Sequence, residues 1–347
     1  MTVRVAINGF GRIGRNFFRA AKEQGADIDF VAVNDLGSIE TMAHLLKYDT
    51  VAGPYPGAVK ASKNAITVDG DRLAVLSERN PADLPWDELD VDVVIESTGF
   101  FTKKEAAAAH RKAGAKKVII SAPSGDCDGT FVVGVNDDTY NPARQHVISN
   151  ASCTTNCLAP MVKVMADNFG IEQGLMTTIH AYTGDQQLVD GPHKDPRRAR
   201  AAAVNVVPTS TGAAAAIGLV VKKLDGSAIR VPIPSGSLTD LTVVTKKATD
   251  VDAINAAFKA AARSGPLRNV LEYSEDPLVS SDIVGRPASC VFDAPLTQGD
   301  GNLFKIFGWY DNEVGYSHRL VDLAVTVGKK KAPAKKAAKR AKKAASK

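Results

Sequence analysis

Two side chains in this sequence stand where they can do covalent chemistry. Cys153 lies in Ala151-Ser-Cys-Thr-Thr-Asn156, and His180 lies in Thr177-Thr-Ile-His-Ala-Tyr-Thr183. The run His146 to Asn150 before the cysteine has the character of a strand end, and Leu158 to Asn168 after it continues as a helix. Cys153 therefore falls in a first helical turn, where free backbone N–H groups and the helix dipole favour a thiolate. Cys157 lies one turn later and is expected to point inward. Cys-x3-Cys is poor zinc spacing and no second pair exists, so no metal site is expected. A lone cysteine is more often a buried structural thiol; a helix start in a chain that also carries a dinucleotide motif reverses that preference. The strand around His180 puts it on the face opposite Ile179. A thiol nucleophile needs a base, and His180 is the leading choice. Spacing alone does not rank it above His146 or His318.

The second chemical signal is Gly9-Phe10-Gly11-Arg12-Ile13-Gly14. A G-x-G-x-x-G run is weak by itself, but here its context is complete. The short β-branched strand of Val3, Val5 and Ile7 precedes it, and a helical stretch from Arg12 to about Gln24 follows. A second strand, Phe30 to Val33, ends at Asn34-Asp35, with Asp35 21 residues after Gly14. The glycines allow a tight turn and close approach to a pyrophosphate, and the helix N-terminus supplies positive partial charge. Asp35 can accept from an adenosine ribose and would repel a 2′-phosphate, which favours NAD over NADP.

These elements belong to a chain of 347 residues, too long for one ordinary core and consistent with two domains. Hydrophobic residues make up 44% and charged residues 23%, ordinary globular values that leave no run of the ~18 apolar residues needed to span a bilayer. Four cysteines do not make a disulfide framework. Without a secretory signal at the start, the expectation is a soluble, cytoplasmic protein. Up to about residue 150, strands (Val91 to Ile95, Val118 to Ile120, Val147 to Ile148) alternate with helical stretches such as Lys103 to Ala113. This predicts an α/β, Rossmann-type, doubly wound parallel sheet over 1–150. Beyond it, strand runs are longer and closer together: Gly174 to Tyr182, Ile229 to Val231, Leu238 to Lys246, Ser289 to Phe292 and Leu303 to Tyr310. They predict an α+β catalytic domain with a mostly antiparallel sheet over 151–314, and 315–328 reads as a final amphipathic helix.

The net charge of +5 is misleading, because residues 329–347 carry ten Lys or Arg and no acid, and without them the body stands at −5. The tail has no large apolar residue and is expected to be disordered.

Taken in order, INGFGRIGR, ESTGFF, SAP at 121–123, ASCTTN, HAYTGDQ, HKDPRRARAAA, TSTGAAAA, RVPIP and WYDNEVGYS resemble the phosphorylating glyceraldehyde-3-phosphate dehydrogenase family. The resemblance covers essentially residues 2–328, and ASCTTN followed by HAYTGDQ is its most specific part. It implies that Cys153 attacks an aldehyde and that His180 is the base. It implies further that the resulting thioester, left after hydride passes to NAD, is released by inorganic phosphate as 1,3-bisphosphoglycerate. For the substrate phosphate it implies Thr183 with Arg230. For the attacking phosphate it implies Ser152, Thr154, Thr211 and Gly212. Of Arg197, Arg198 and Arg200, Arg198 best fits the family spacing. For NAD it adds Phe10, Arg12 and Ile13 beside the glycines, Asn34 with Asp35, and Arg79, Ser97, Thr98, Gly99 and Ser121 on the adenosine side. Asn312 and Tyr316 would stand at the nicotinamide. The family is homotetrameric, which implies that the 188–194 loop crosses a subunit interface; 315–328 would return to the NAD-binding domain.

A sister dehydrogenase acting on erythrose 4-phosphate shares most of these motifs. The basic tail departs from the family pattern, and its Lys/Ala/Pro composition leaves nucleic-acid or other polyanion binding, or a solubilising appendage, as its role.

Overall fold

The computed structural model describes residues 2–213 and 224–329. It contains two sheets. The first begins with β1 (Val3–Asn8), α1 (Arg12–Glu23), β2 (Ile28–Asn34) and α2 (Ile39–Lys47). A meander follows, β3 (Val59–Ser62), β4 (Ala65–Val68) and β5 (Asp71–Leu76), and then β6 (Val93–Glu96), β7 (Lys117–Ile120) and β8 (Val147–Ser149). The order is β3-β4-β5-β2-β1-β6-β7-β8. The run from β5 to β8 is parallel, as expected, while the β3–β4 and β4–β5 pairs are antiparallel. That meander is absent from the sequence reading, since its strands are short and partly exposed. The expected helix from Lys103 to Ala113 is broken into two single turns, α3 (Lys104–Ala107) and α4 (Ala109–Lys112).

Strand order reverses between β1 and β6, so their carboxyl ends open the crevice where such sheets bind ligands. Asn8 and Glu96, the last residues of β1 and β6, are paired across it.

The second sheet follows α5 (Cys153–Phe169). It contains β9 (Ile171–Ala181), β10 (Val207–Ser210), β11 (Leu224–Val231), β12 (Ser237–Thr249), β13 (Leu271–Ser274), β14 (Cys290–Asp293) and β15 (Gln298–Tyr310). In the order β10-β11-β9-β12-β15-β14-β13, β9–β11 and β13–β14 are parallel and the other pairs antiparallel. A further helix, α6 (Val251–Arg263), lies between β12 and β13, where the sequence reading placed none. It and α5 cover one face of this sheet, with Met161, Leu241, Phe258 and Phe304 in one core.

The last helix, α7 (Val314–Lys329), returns to the first sheet: Tyr316, Leu320, Val321 and Val327 share a core with Val5, Ile7 and Phe17. The nucleophile helix thus starts where the first sheet ends, and the chain crosses back beside it. Among the described residues, no helix is long and apolar enough to cross a membrane.

Candidate active site

The turn from β8 into α5 is tight. Ala151 takes φ +57° although it has a side chain, a conformation that costs about 1–3 kcal/mol and persists only where surroundings hold it. Tyr316 does so by donating its hydroxyl to the Ala151 carbonyl at 3.2 Å. Ser152 then caps α5, accepting from the Thr155 N–H at 3.0 Å, and Cys153 is the first helical residue. Its position at the helix start is as the sequence predicts.

His180 stands on β9 with its Nε2 3.3 Å from Cys153 Sγ. His180 Nδ1 lies 2.6 Å from the Ala181 carbonyl, which can only accept, and 3.1 Å from Arg230 Nη1, which can only donate; the shorter carbonyl contact assigns the proton to Nδ1 and leaves the Nε2 lone pair facing the thiol. The parallel register of β9 and β11 pairs Arg230 with His180. Arg230 Nη1 donates to the Ala181 carbonyl at 3.2 Å and to Thr183 Oγ1 at 3.3 Å. Tyr310, which the sequence reading missed, packs its ring edge-on to His180 and places its hydroxyl 2.8 Å from Thr154 Oγ1 and 2.7 Å from Thr178 Oγ1.

Burial, then the charges of Arg230 and Arg198, push the His180 imidazole down to about 3. Burial also pushes the Cys153 thiol up, against the pull of Arg230 and of the Thr154 N–H. This desolvation works against the thiolate that a helix end favours.

Of the expected phosphate residues, Ser152 and Thr154 flank Cys153 in sequence, and Arg230, Thr183 and Arg198 stand on the His180 side. Arg230 Nε is buried with no partner among the described residues, a donor left for an anion. Arg198 fans its guanidinium over Thr209 Oγ1 (2.9 Å), Asp185 (2.6 Å) and the Ser210 carbonyl (3.0 Å). Its charge acts on both His180 and Arg230. Arg200 instead pairs with Asp190 at the surface, and the exposed Arg197 is tied to Asp195 through its backbone N–H. Thr211 Oγ1 accepts from the Ala213 N–H at 3.2 Å, and a side chain at Gly212 would meet only open space. The rest of the TSTGAAAA segment lies outside the described residues. Thr154 departs from expectation: its hydroxyl is buried against Tyr310, so the helix-end N–H is what it offers an anion.

At the carboxyl ends of β1, β2 and β6 lies a cleft of about 510 Å³ lined by Asn8, Gly9, Gly11, Asn34, Asp35, Leu36, Glu78, Arg79, Ser97, Thr98, Phe100 and Phe101. It gathers most of the expected adenosine residues. A Cβ on Gly14 would lie 2.2 Å from the Gly9 carbonyl, and one on Gly9, at φ +94°, 2.7 Å from the Ser97 backbone. A Cβ on Gly11 would meet nothing within 4 Å, so open space faces the start of α1 and a pyrophosphate fits there. Ser97 Oγ donates to the Gly9 carbonyl at 2.7 Å, and Gly99 takes φ +78°. Asp35 accepts from the Phe10 N–H at 2.7 Å and the Gly37 N–H at 2.9 Å, so it braces the glycine loop as well as facing the cleft. Ile13 is half-buried against the core. Ser121 lies at the end of β7, its N–H donating to the Glu96 carbonyl at 2.9 Å.

Arg12 opens α1 next to Gly11, while its guanidinium is engaged elsewhere: its Nε donates to Glu313 at 2.8 Å and its Nη groups pair with Glu313 and Asp49. Nothing local signals these partners. Toward Cys153, Asn312 Oδ1 accepts from Ser237 Oγ at 2.9 Å, which fixes the orientation of its amide, and the Tyr316 ring is buried beside Ala151. Leu36 and Phe100 are further cleft residues the sequence reading missed; their exposure, 52% and 85%, is their only sign.

Comparison with known proteins agrees with this geometry. The family model "Glyceraldehyde 3-phosphate dehydrogenase, NAD binding domain" matches residues 3–104, and "Glyceraldehyde 3-phosphate dehydrogenase, C-terminal domain" matches residues 152–312. A glyceraldehyde-3-phosphate dehydrogenase of Streptomyces coelicolor is 63% identical over 333 residues, covering 94% of this chain and 99% of that protein. One of Mycobacterium avium is 60% identical over 339 residues, covering 95% and 99%. One of Mycolicibacterium smegmatis is 58% identical over 340 residues, with the same coverage. The chain belongs to the glyceraldehyde 3-phosphate dehydrogenase family and is an NAD-dependent dehydrogenase.

Proposed function

We propose that this enzyme oxidises D-glyceraldehyde 3-phosphate, with incorporation of inorganic phosphate, to 1,3-bisphosphoglycerate, with Cys153 as nucleophile and His180 as base. The observation that carries the reading is the His180 Nε2 lone pair facing Cys153 Sγ at 3.3 Å. Sγ bonds to the aldehyde carbon as its proton passes to Nε2, and Nε2 returns that proton to the former carbonyl oxygen, giving a thiohemiacetal. The Cys153 N–H at the helix start and the imidazole steady the developing oxyanion. NAD, when bound, supplies the acceptor for the hydride that leaves this carbon. His180 takes the thiohemiacetal hydroxyl proton as the carbonyl re-forms into a thioester. A phosphate oxygen then attacks the thioester carbon, the S–C bond breaks, and the departing sulfur takes back the proton held by His180. Arg230 with Thr183 holds the substrate phosphate. Arg198, Thr211, Gly212 and the Ser152–Thr154 helix start take the attacking phosphate.

In this reading Asp35, Asn34, Arg79, Ser97, Thr98, Gly99 and Ser121 serve the adenosine half of the cofactor. The Gly9–Gly14 loop serves the pyrophosphate, and Asn312 with Tyr316 the nicotinamide. The domains divide at 1–150 and 151–314, with 315–328 returning to the first. The enzyme works in the cytoplasm as a homotetramer, and the strongly exposed Leu188 and Val189 fit a subunit contact by the 188–194 loop. The basic tail binds polyanions, a reading favoured by its ten positive charges and absence of acid.

The test is NADH formation from glyceraldehyde 3-phosphate with and without inorganic phosphate. Strict dependence on phosphate is expected. An undiminished rate without it overturns the phosphorolysis step, and a preference for erythrose 4-phosphate transfers the chain to the sister activity.

A further inference from the structure

Asn34, Asn8 and Glu96 lie side by side in one row across three parallel strands, paired Asn34 with Asn8 and Asn8 with Glu96. All three side chains are buried, yet Asn8 and Asn34 line the cleft. Their amides and the carboxylate form a continuous chain. Glu96 Oε2 accepts from Asn8 Nδ2 at 2.6 Å, and Asn8 Oδ1 accepts from Asn34 Nδ2 at 2.7 Å. Asn34 closes a two-way clamp on Glu78, accepting from its N–H at 2.7 Å and donating to its carbonyl at 2.8 Å. That clamp holds the Glu78-Arg79 wall of the cleft against β2. Glu96 Oε1 meanwhile accepts from the Thr98 N–H at 2.9 Å and the Thr98 hydroxyl, fixing the opposite wall.

The chain is anchored on the far side of the sheet. Trp86 Nε1 donates to His110 Nδ1 at 2.9 Å, which places the imidazole proton on Nε2, and that N–H donates to Glu96 Oε2 at 3.0 Å. Trp86 and His110 are fully buried and line neither the cleft nor the nucleophile's surroundings, although His110 Nε2 also lies 3.3 Å from Asn8 Nδ2.

We propose that Glu96 and His110 are positioning residues for the cofactor, acting through Asn8, Asn34 and Thr98 to set the walls of the adenosine cleft. A carboxylate buried this deeply needs every donor it has. With the His110 N–H gone, Glu96 must turn or admit water, and either change releases Asn8 or Thr98. The inference rests on the cleft holding the adenosine half of NAD.

The test uses His110→Phe and His110→Gln in the full-length enzyme. Affinity for NAD and for ADP-ribose is measured by calorimetry, alongside kcat at saturating NAD, KM for the aldehyde and the alkylation rate of Cys153. His110→Phe is expected to weaken both ligands about tenfold, with the other three quantities within about twofold of the parent. His110→Gln, which keeps one donor and one acceptor, is expected to recover most of the affinity. Unchanged affinity in His110→Phe overturns the proposal. So does a loss shared equally by kcat and Cys153 alkylation, which marks general damage. Should His110→Phe fail to fold, Glu96→Gln is read the same way, and unchanged affinity there overturns the proposal. If the unaltered enzyme binds NAD but not ADP-ribose, the assignment of the cleft itself fails instead.

Discussion

His180 Nε2 lies 3.3 Å from Cys153 Sγ, and the two groups are displaced in opposite directions. Burial lifts the thiol, while burial and Arg230 drive the imidazole down to about 3. Both displacements favour the uncharged forms, so in the proposed reaction the proton crosses as sulfur bonds to carbon.

Replacing Cys153 with Ser should abolish turnover while NAD binding and folding persist, because an ordinary hydroxyl is a far poorer nucleophile than sulfur. The measurement is kcat beside calorimetric NAD affinity. Retention of more than about a tenth of the parent kcat removes Cys153 from the nucleophile role.

His180→Asn should lower kcat by about 10²–10⁴-fold. In the parent enzyme without substrate, alkylation of Cys153 should be slow near neutrality and rise with pH beyond the ordinary thiol value of about 8.5, because burial raises the thiol. A rate already at its plateau near neutrality would show a resting thiolate and reverse the electrostatic account.

Acid stability follows from the same histidine. An unfolded imidazole takes its proton near its ordinary value of about 6.5, whereas folded His180 does so only at about 3. The unfolded state therefore binds more protons between those values, and stability is lost as pH falls through that window, with nothing lost from this group above it. Half-buried His146 and buried His318 shift in the same direction, so the difference between parent and His180→Asn isolates one residue. Urea midpoints followed down in pH should fall less steeply in the variant; parallel curves refute the assignment.

Asp35→Ala should weaken NAD and improve NADP relative to it, since ribose hydrogen bonds and repulsion of a 2′-phosphate both go. It should also cost about 1 kcal/mol of stability, because the Phe10 N–H loses its 2.7 Å acceptor. The ratio of kcat/KM for the two cofactors decides, and an unmoved ratio means that Asp35 does not read the ribose.

Deleting residues 330–347 spares Lys329, which pairs with Asp27 at 3.1 Å, and should leave dehydrogenase activity and assembly near parent values. Binding to a short DNA duplex should weaken, and the intact chain's affinity should fall steeply with salt as condensed counterions cease to drive it. Base preference is not expected from lysines without aromatic partners. Equal binding by both forms, or affinity indifferent to salt, leaves a solvated appendage.

What the sequence determined by itself was local. The glycine loop between a strand and a helix, the start of α5 at Cys153 and the alternation of strands with helices each rest on contacts within a few tens of residues. Turn chemistry, capping and hydrophobic period carry that information. The resemblance added roles by position.

Tertiary structure decided what depends on distant segments meeting. His180 is chosen over its rivals because β9 runs beside the start of α5, while His146 sits 3.1 Å from Lys117 and His318 2.8 Å from Gln24. Of the three arginines, Arg198 is the one held by Thr209 and Asp185 with its charge acting on His180. Thr154 turns its hydroxyl into the core because Tyr310 waits there, and Arg12 finds Glu313 across nearly the whole chain. The balance of charge at Cys153 was likewise invisible in one dimension. A helix dipole belongs to the helix and can be read from it, whereas desolvation belongs to everything packed around the sulfur, and here it raises the thiol.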